Sequence, residues 1–286
     1  MSFDAEAHRR ASLEDWEAAA PGWVRQQELL RGFAAPVSNW MIDAISPQPG
    51  ERVLELAAGL GETAMLAAEL VAPVGGVIVS DQAEAMLEGA RARAIALGLA
   101  NVEFQALNAE WIDLPVASVD AVLCRWGYML MADPAAALGE TRRVLRPGGR
   151  VALAVWDTVE SNPWALLPAQ ELIARGAMGR PDPDAPPRPG PFALSAPGVI
   201  GELLQQAGFV EVRVEALELV RRHASFAELW DTTLDLSRSF HDAVLSRPAA
   251  EIAEIEASVA ERFAPHTTAD GTLAIPARTL VVAASA

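Results

Sequence analysis

Residues 53–64 read VLELAAGLGETA: a short apolar run that closes on a carboxylate, then a loop of small residues that opens a helix. Strand, glycine-bearing turn and helix in that order make the first unit of a parallel α/β sheet. Residues 59–64, GLGETA, also satisfy the dinucleotide pattern G-x-G-x-x-G/A, and Asp81 follows at about the 20-residue distance that pattern expects. Two features oppose a pyrophosphate on this turn. Glu55 immediately precedes the loop, and Ala57 and Ala58 separate the strand from the first glycine. An anion at the N-terminus of the next helix would face that carboxylate across a short, poorly screened distance.

Outward from this stretch the alternation continues. After the breaker SPQPG at 46–50 come RVLEL and ETAMLAAELVA, GVIVSD and AEAMLEGARARAIAL, VEFQAL, VDAVLC and PAAALGETRRVL, and, past RPGG, RVALAVW. Strand runs this apolar belong to a sheet buried on both faces, and their alternation with helices implies βαβ units. Leu138, Thr141 and Leu145 fall at helical spacing, with Pro147-Gly148-Gly149 as the stop. Residues 1–45 read as helical. GRPDPDAPPRPGPF is proline-dense and reads as an irregular surface loop, VIGELLQQAGF as a helix and VEVRVEALELV as a half-exposed strand. Residues 224–265 read as two or three helices inserted before a last strand, PARTLVVAAS.

Composition narrows the function. A chain of 286 residues with 51% hydrophobic residues has ample length for a real core. No segment approaches the roughly 18–20 uncharged apolar residues of a membrane helix, and the charged opening MSFDAEAHRRASLEDW lacks the apolar stretch of a secretory signal. A cytoplasmic location is expected. The net charge is −16 and every basic residue is arginine, which removes a Schiff-base lysine and a P-loop lysine and argues against nucleic acid as a partner. Arg142, Arg143, Arg146 and Arg150 come close together but read as a solvated face. A single cysteine, Cys124, precludes an intrachain disulfide and suits a reducing compartment. The four histidines show no metal-ligand spacing, so no metal is expected.

A phosphate-free ligand with a cationic part fits the first loop better than a dinucleotide. S-adenosylmethionine carries an ammonium, a carboxylate, a sulfonium and a ribose. Glu55 would help place its amino-acid end, and the small residues Ala57, Ala58, Gly59 and Gly61 would let the backbone approach closely; close helix–strand packing accounts for the alanines equally well. Asp81, ending the second strand, can accept hydrogen bonds from both ribose hydroxyls or cap the helix that follows. Asn108 in LNAEW can read an adenine edge, assisted by the Ala109 amide, or close an ordinary Asx turn.

In this order and spacing, VLELAAGLGETA, VIVSDQAEAML, LNAEWIDLPVASVDAVLCRWGYML and ETRRVLRPGGRVALAVW resemble the motifs of class I S-adenosylmethionine-dependent methyltransferases. The small-molecule branch that includes the ubiquinone/menaquinone C-methyltransferases is the most similar. The likeness covers residues 12–157 well, and 190–222 and 275–285 more loosely. It implies a Rossmann-like, doubly wound, mostly parallel seven-stranded sheet with an antiparallel last strand. It divides the chain into an N-terminal helical lid (1–45), a cofactor-binding core (46–223), a helical insertion serving as substrate lid (224–270) and the last core strand (271–286). Glu55, Ala57, Gly59 and Leu60 would then line the methionine end, Asp81 and Gln82 the ribose and adenine, and Asn108 and Ala109 the base. Arg125 would lie under the cofactor. Three positions depart from the family: Ala57 replaces its usual first glycine, Leu60 a frequent threonine, and Gln82 an apolar residue that packs on adenine.

Methyl transfer relies on alignment, so catalytic groups leave little signature. RWGYML should aim Arg125, Trp126 and Tyr128 at the cofactor or the acceptor. Tyr128, the only tyrosine, could bond an acceptor oxygen, and His223 could act as a base or sit on the surface; Trp126 suits core packing equally. Trp16, Trp23, Phe226, Trp230, Leu234 and Phe240 suit an apolar or aromatic acceptor, or simply a helix–helix core. Three other readings stay open: an NAD(P)-dependent oxidoreductase using GLGETA and Asp81, a binding module without catalysis, and an enzyme that binds the same cofactor for another reaction. The oxidoreductase reading leaves LNAEW and the helix-PGG-strand segment unexplained.

Overall fold

The computed structural model describes residues 3–180 and 188–286. Its centre is a seven-stranded sheet in the order β3-β2-β1-β4-β5-β7-β6. The strands are β1 (Arg52–Glu55), β2 (Gly76–Asp81), β3 (Val102–Ala106), β4 (Val119–Arg125), β5 (Leu145–Trp156), β6 (Val210–His223) and β7 (Leu273–Ser285). β1 to β5 pair in parallel, and β7 runs antiparallel to both β5 and β6. The chain order reverses between β1 and β4, so a crevice opens where those two strands end. This is the expected doubly wound sheet with its antiparallel last strand.

Helices α1 (Ala5–Arg25) and α2 (Gln27–Ile45) precede the sheet, and α3 (Glu62–Val71), α4 (Glu84–Leu97), α5 (Pro134–Val144), α6 (Pro163–Ala174) and α7 (Val199–Gln206) alternate with strands. The 224–265 segment forms α8 (Phe226–Leu236), α9 (Arg238–Leu245) and α10 (Ala249–Phe263). Val53, Leu54, Val77, Ile78, Val122, Leu123, Val151 and Leu153 are all fully buried, which is why these runs lack a polar alternation. Pro147-Gly148-Gly149 lies inside β5 rather than before it: the helix stops at Val144 and Leu145 already pairs with Val119. The middle of the proline-dense loop, residues 181–187, lies outside the described residues.

The N-terminal helices divide differently from expectation. α2 buries Val37, Met41 and Ile45 in the main core against the sheet, so it is a covering layer of the core and not a lid. α1 alone leans over the strand ends. Glu17 on α1 accepts from the Glu84 and Ala85 amides at 2.6 and 3.2 Å, capping α4, whose own N-cap Ala83 has no side chain able to do so. Farther along, Arg25 and Gln26 bond Asp235 of α8, and Gly22 packs so close to that helix that a Cβ would run into the Asp235 carbonyl. α8–α10 enclose a second core of Leu229, Trp230, Phe240, Val244, Ile255, Val259 and Phe263 with α6 and the start of β7. The insertion thus props α1.

β6 forms one free edge of the sheet and turns Glu211, Glu215, Glu218 and Arg222 outward as exposed residues. It also outruns β5: residues 218–223 pair with 273–278 alone, and that two-stranded ribbon overhangs the sheet.

Candidate functional site

A cavity of about 120 Å³, open at its mouth, lies above the crevice between β1 and β4. Strand ends supply its floor. The turn after β1 bends through positive φ at Ala57 (49°), Gly59 (53°) and Gly61 (75°). The two glycines serve different needs. A Cβ on Gly61 would lie 2.9 Å from Met65 Cε and 3.3 Å from Ala90 Cβ, so that glycine permits packing. A Cβ on Gly59 would meet nothing within 4 Å, so that position faces open cavity.

Glu55 does not reach the cavity. It is buried under the turn and its Oε2 accepts from the Ala64 amide at 2.8 Å, in the first turn of α3. The helix N-terminus that would hold a phosphate in a dinucleotide fold already carries a carboxylate. Burial pushes the Glu55 pKa up to about 7, against the pull of Arg125 and the Ala64 amide.

Asp81 borders the cavity at the end of β2. Its two oxygens accept from the Gly59 and Ala83 amides at 2.9 and 3.0 Å, which fixes the carboxylate and leaves lone pairs for further donors. Burial raises its pKa, and those amides oppose the shift. Gln82 Nε2 donates to Ser12 Oγ at 2.9 Å, tying the floor to α1. Asn108 closes the Asx turn, its Oδ1 accepting from the Glu110 amide at 2.8 Å, while it and Ala109 still line the cavity. Arg125, at the tip of β4, has a buried Nε without a hydrogen-bond partner; its guanidinium lies 5.0 Å from the Trp126 ring centroid. Burial lowers its pKa and Glu55 raises it. An unpartnered guanidinium donor, with an open glycine and a fixed carboxylate acceptor on the same cavity, is a set suited to an amino-acid carboxylate at one end and a sugar at the other.

Residues 47–178 match the family of methyltransferase domains. Nocamycin O-methyltransferase of Saccharothrix syringae is 33% identical over 195 residues, which are 65% of this chain and 70% of that protein. The chain belongs to the methyltransferase family. Demethylmenaquinone methyltransferase of Clavibacter sepedonicus is 39% identical over 135 residues, 46% of this methyltransferase and 49% of the relative. Among solved structures, the YcgJ protein of Bacillus subtilis shares the fold at a TM-score of 0.57 and 18% identity, over 87% of this chain and 97% of that one.

Of the positions expected from sequence, the methyltransferase brings Ala57, Gly59, Asp81, Gln82, Asn108, Ala109 and Arg125 to one cavity. Glu55 and Gly61 support it from below. Leu60 turns the other way, buried with Ala19, Ala20, Ala83 and Met86, where its apolar side chain joins α1 to α4. Two further positions need correction. Tyr128 is fully buried, its hydroxyl 2.6 Å from Thr141 Oγ1, with a pKa raised well above the ordinary value by burial; it faces the core and cannot meet an acceptor in the cavity. His223 is neither on the surface nor along the cavity: the ring is buried beside Arg221, and burial lowers its pKa to about 4.

Of the roof, sequence reading named Trp16 and Trp23 but not His8, Arg9 or Ser12. All five, on α1, line the cavity, with Arg9 held by Glu110 at 2.6 Å and His8 Nε2 3.0 Å from the Leu130 carbonyl oxygen. Their spacing follows one helix face, a signal that looks the same whether the face meets protein or ligand. The methyltransferase also has an aromatic flank. Trp126, at φ +62°, stacks on Trp156 at 4.3 Å and 13°, and Trp156 meets Trp164 at 5.0 Å. Trp126 Nε1 donates to Thr279 Oγ1 at 3.0 Å, which fixes the ring between cavity and flank.

Proposed function

We propose that this methyltransferase uses S-adenosylmethionine to methylate a small, largely apolar or aromatic molecule by in-line transfer, in the cytoplasm. One observation carries the cofactor: the α3 N-terminus holds the Glu55 carboxylate while Asp81 and Gly59 border open space. That arrangement repels a diphosphate and accepts a ribose, so an NAD(P) reading is not favoured. Asp81 would accept from the ribose hydroxyls, Asn108 and Ala109 would border the base, and Arg125 would pair with the carboxylate of the methionine end. The names of the relatives, an O-methyltransferase and a quinone-pathway methyltransferase, support a small acceptor.

When bound, the cofactor supplies a methyl on a sulfonium, whose carbon–sulfur bond breaks toward sulfur as the acceptor's electron pair takes the methyl. This chain's contribution is positioning and shielding. Near-attack alignment is worth roughly 7–11 kcal/mol, and α1 with its tryptophans would shield the strand ends from water with both ligands in place. No side chain needs to act as base unless the acceptor loses a proton, which agrees with Tyr128 and His223 facing away. Cys124, buried and pushed up to about 12, remains an unreactive thiol, as suits a reducing compartment. Native mass spectrometry of the purified chain tests the cofactor: retained S-adenosylhomocysteine, or saturable heat on titrating it, is the expected outcome. A bound dinucleotide, or no heat with S-adenosylhomocysteine, rejects the proposal.

A further inference from the structure

α1 runs along the cofactor cleft, and its contacts fix which residue stands over which end. Near its start, Arg9 pairs with Glu110 and Ser12 accepts from Gln82, beside the positions assigned to base and ribose. Near its end, Trp16 and Trp23 pack on the cluster that contains Leu60, the neighbour of Gly59. Just beyond, Gln27 at the start of α2 donates to Glu62 at the start of α3, at 3.3 Å. From Ser12 to Trp23 a helix rises roughly 16 Å, so these two residues stand over opposite ends of the cleft. Trp23 has the methionine end.

Among the described residues, two line the cavity and also carry a buried side-chain nitrogen with no hydrogen-bond partner: Arg125 on the floor, at Nε, and Trp23 on the roof, at Nε1. An indole N–H only donates, and a buried one ordinarily finds an acceptor. Trp16 meets Trp23 edge to face at 5.3 Å and 72°, so it offers no more than a ring, a weak acceptor. Both unpartnered groups donate and neither accepts, which matches an anion and not an ammonium. Resting on the methyltransferase reading, we infer that Trp23 is a cofactor-binding residue: its indole N–H donates to the carboxylate of the methionine end from above, while Arg125 holds that carboxylate from below. α8 sets the height of this donor, because Gly22 packs against the Asp235 backbone, and Arg25 and Gln26 bond the Asp235 side chain. The insertion thus acts on the cofactor through Trp23, although no residue of α8 lines the cavity.

The test titrates the full chain by calorimetry with S-adenosylhomocysteine and with its decarboxylated analogue, which keeps the adenosine, the sulfur and the amine. Trp23→Phe retains an aromatic ring and loses the N–H. It should weaken S-adenosylhomocysteine roughly tenfold or more, as loss of a hydrogen bond to a charged group does, and change the analogue less than about twofold. Equal weakening of both ligands would make Trp23 a packing residue, and unchanged S-adenosylhomocysteine affinity would leave its N–H without a task; either overturns the inference. A second measurement needs no variant. In proton–nitrogen correlation spectra of the parent chain, assigned through bonds, the Trp23 indole proton should move downfield with S-adenosylhomocysteine and not with the analogue. The same shift with both, or no shift with either, overturns the inference even if Trp23→Phe does not fold. Failure of S-adenosylhomocysteine to bind the parent chain rejects the cofactor reading itself, whereas binding with a silent Trp23 rejects this inference alone.

Discussion

The two halves of the strand-tip surface are built on opposite plans. At β1, β2 and the turn after β3, the surface is built of backbone amides, small residues and carboxylates locked by short hydrogen bonds: Gly59 and Ala83 on Asp81, Ala64 on Glu55. At β4 to β6 it is built of stacked rings and a buried cation that the described residues leave unpaired. The first plan admits almost no change of shape, because each donor and acceptor is placed by main chain. The second can be altered one ring at a time without disturbing the sheet.

Charge provides the sharpest way to break the contrast. Glu55, with its pKa raised to about 7, binds a proton more tightly folded than unfolded. The folded state therefore loses stability as pH rises from about 4.5 through 7, then levels off. Replacing it by Gln removes that loss, so the stability of Glu55→Gln relative to the parent should improve by about 2–3 kcal/mol between pH 5 and pH 8.5, read by urea denaturation at both values. A flat difference would mean that Glu55 stays ionised and paired with Arg125.

Next in size, Asp81→Ala should weaken S-adenosylhomocysteine by about 1–3 kcal/mol in calorimetry while the melting temperature of the unliganded chain is unchanged. Unchanged affinity in a folded variant would reassign Asp81 to capping α4. The smallest effect concerns Tyr128→Phe, which removes only the hydroxyl bonded to Thr141. It should cost about 1 kcal/mol of stability with turnover within twofold of the parent. A hundredfold fall in turnover would return the phenol to the chemistry.

The same contrast explains what the sequence disclosed. The polar half was readable because main-chain recognition demands particular residues at particular spacings: glycine where φ turns positive, an acid at the end of β2, a short polar turn after β3. Seven of the ten cofactor positions expected from these spacings and from the family resemblance do border the cavity. Leu60, Glu55 and Gly61 do not, because neighbours in a tight turn point in opposite directions and spacing does not say which side is outward. The aromatic half was unreadable. Phe33, Trp126, Trp156, Trp164 and Arg221 come from five separate elements or turns, and each alone looks like a core or surface residue. Arg221 and His223 alternate inward on a strand whose other residues are mostly exposed, a pattern that hydropathy reverses, since these polar side chains are the buried ones. α2 was misjudged for a related reason: an apolar helical face facing a sheet and one facing a cleft have the same periodicity.

The outer row of β6 has a consequence for self-association. A free edge strand is a template on which another chain can add. Its exposed side chains are of both signs, Glu211, Glu215 and Glu218 with Arg213 and Arg222, and Arg213 pairs with Glu215 at 3.1 Å while Arg278 pairs with Glu218 at 3.2 Å. Charged side chains along an unpaired edge are one means by which a sheet discourages a further strand from adding.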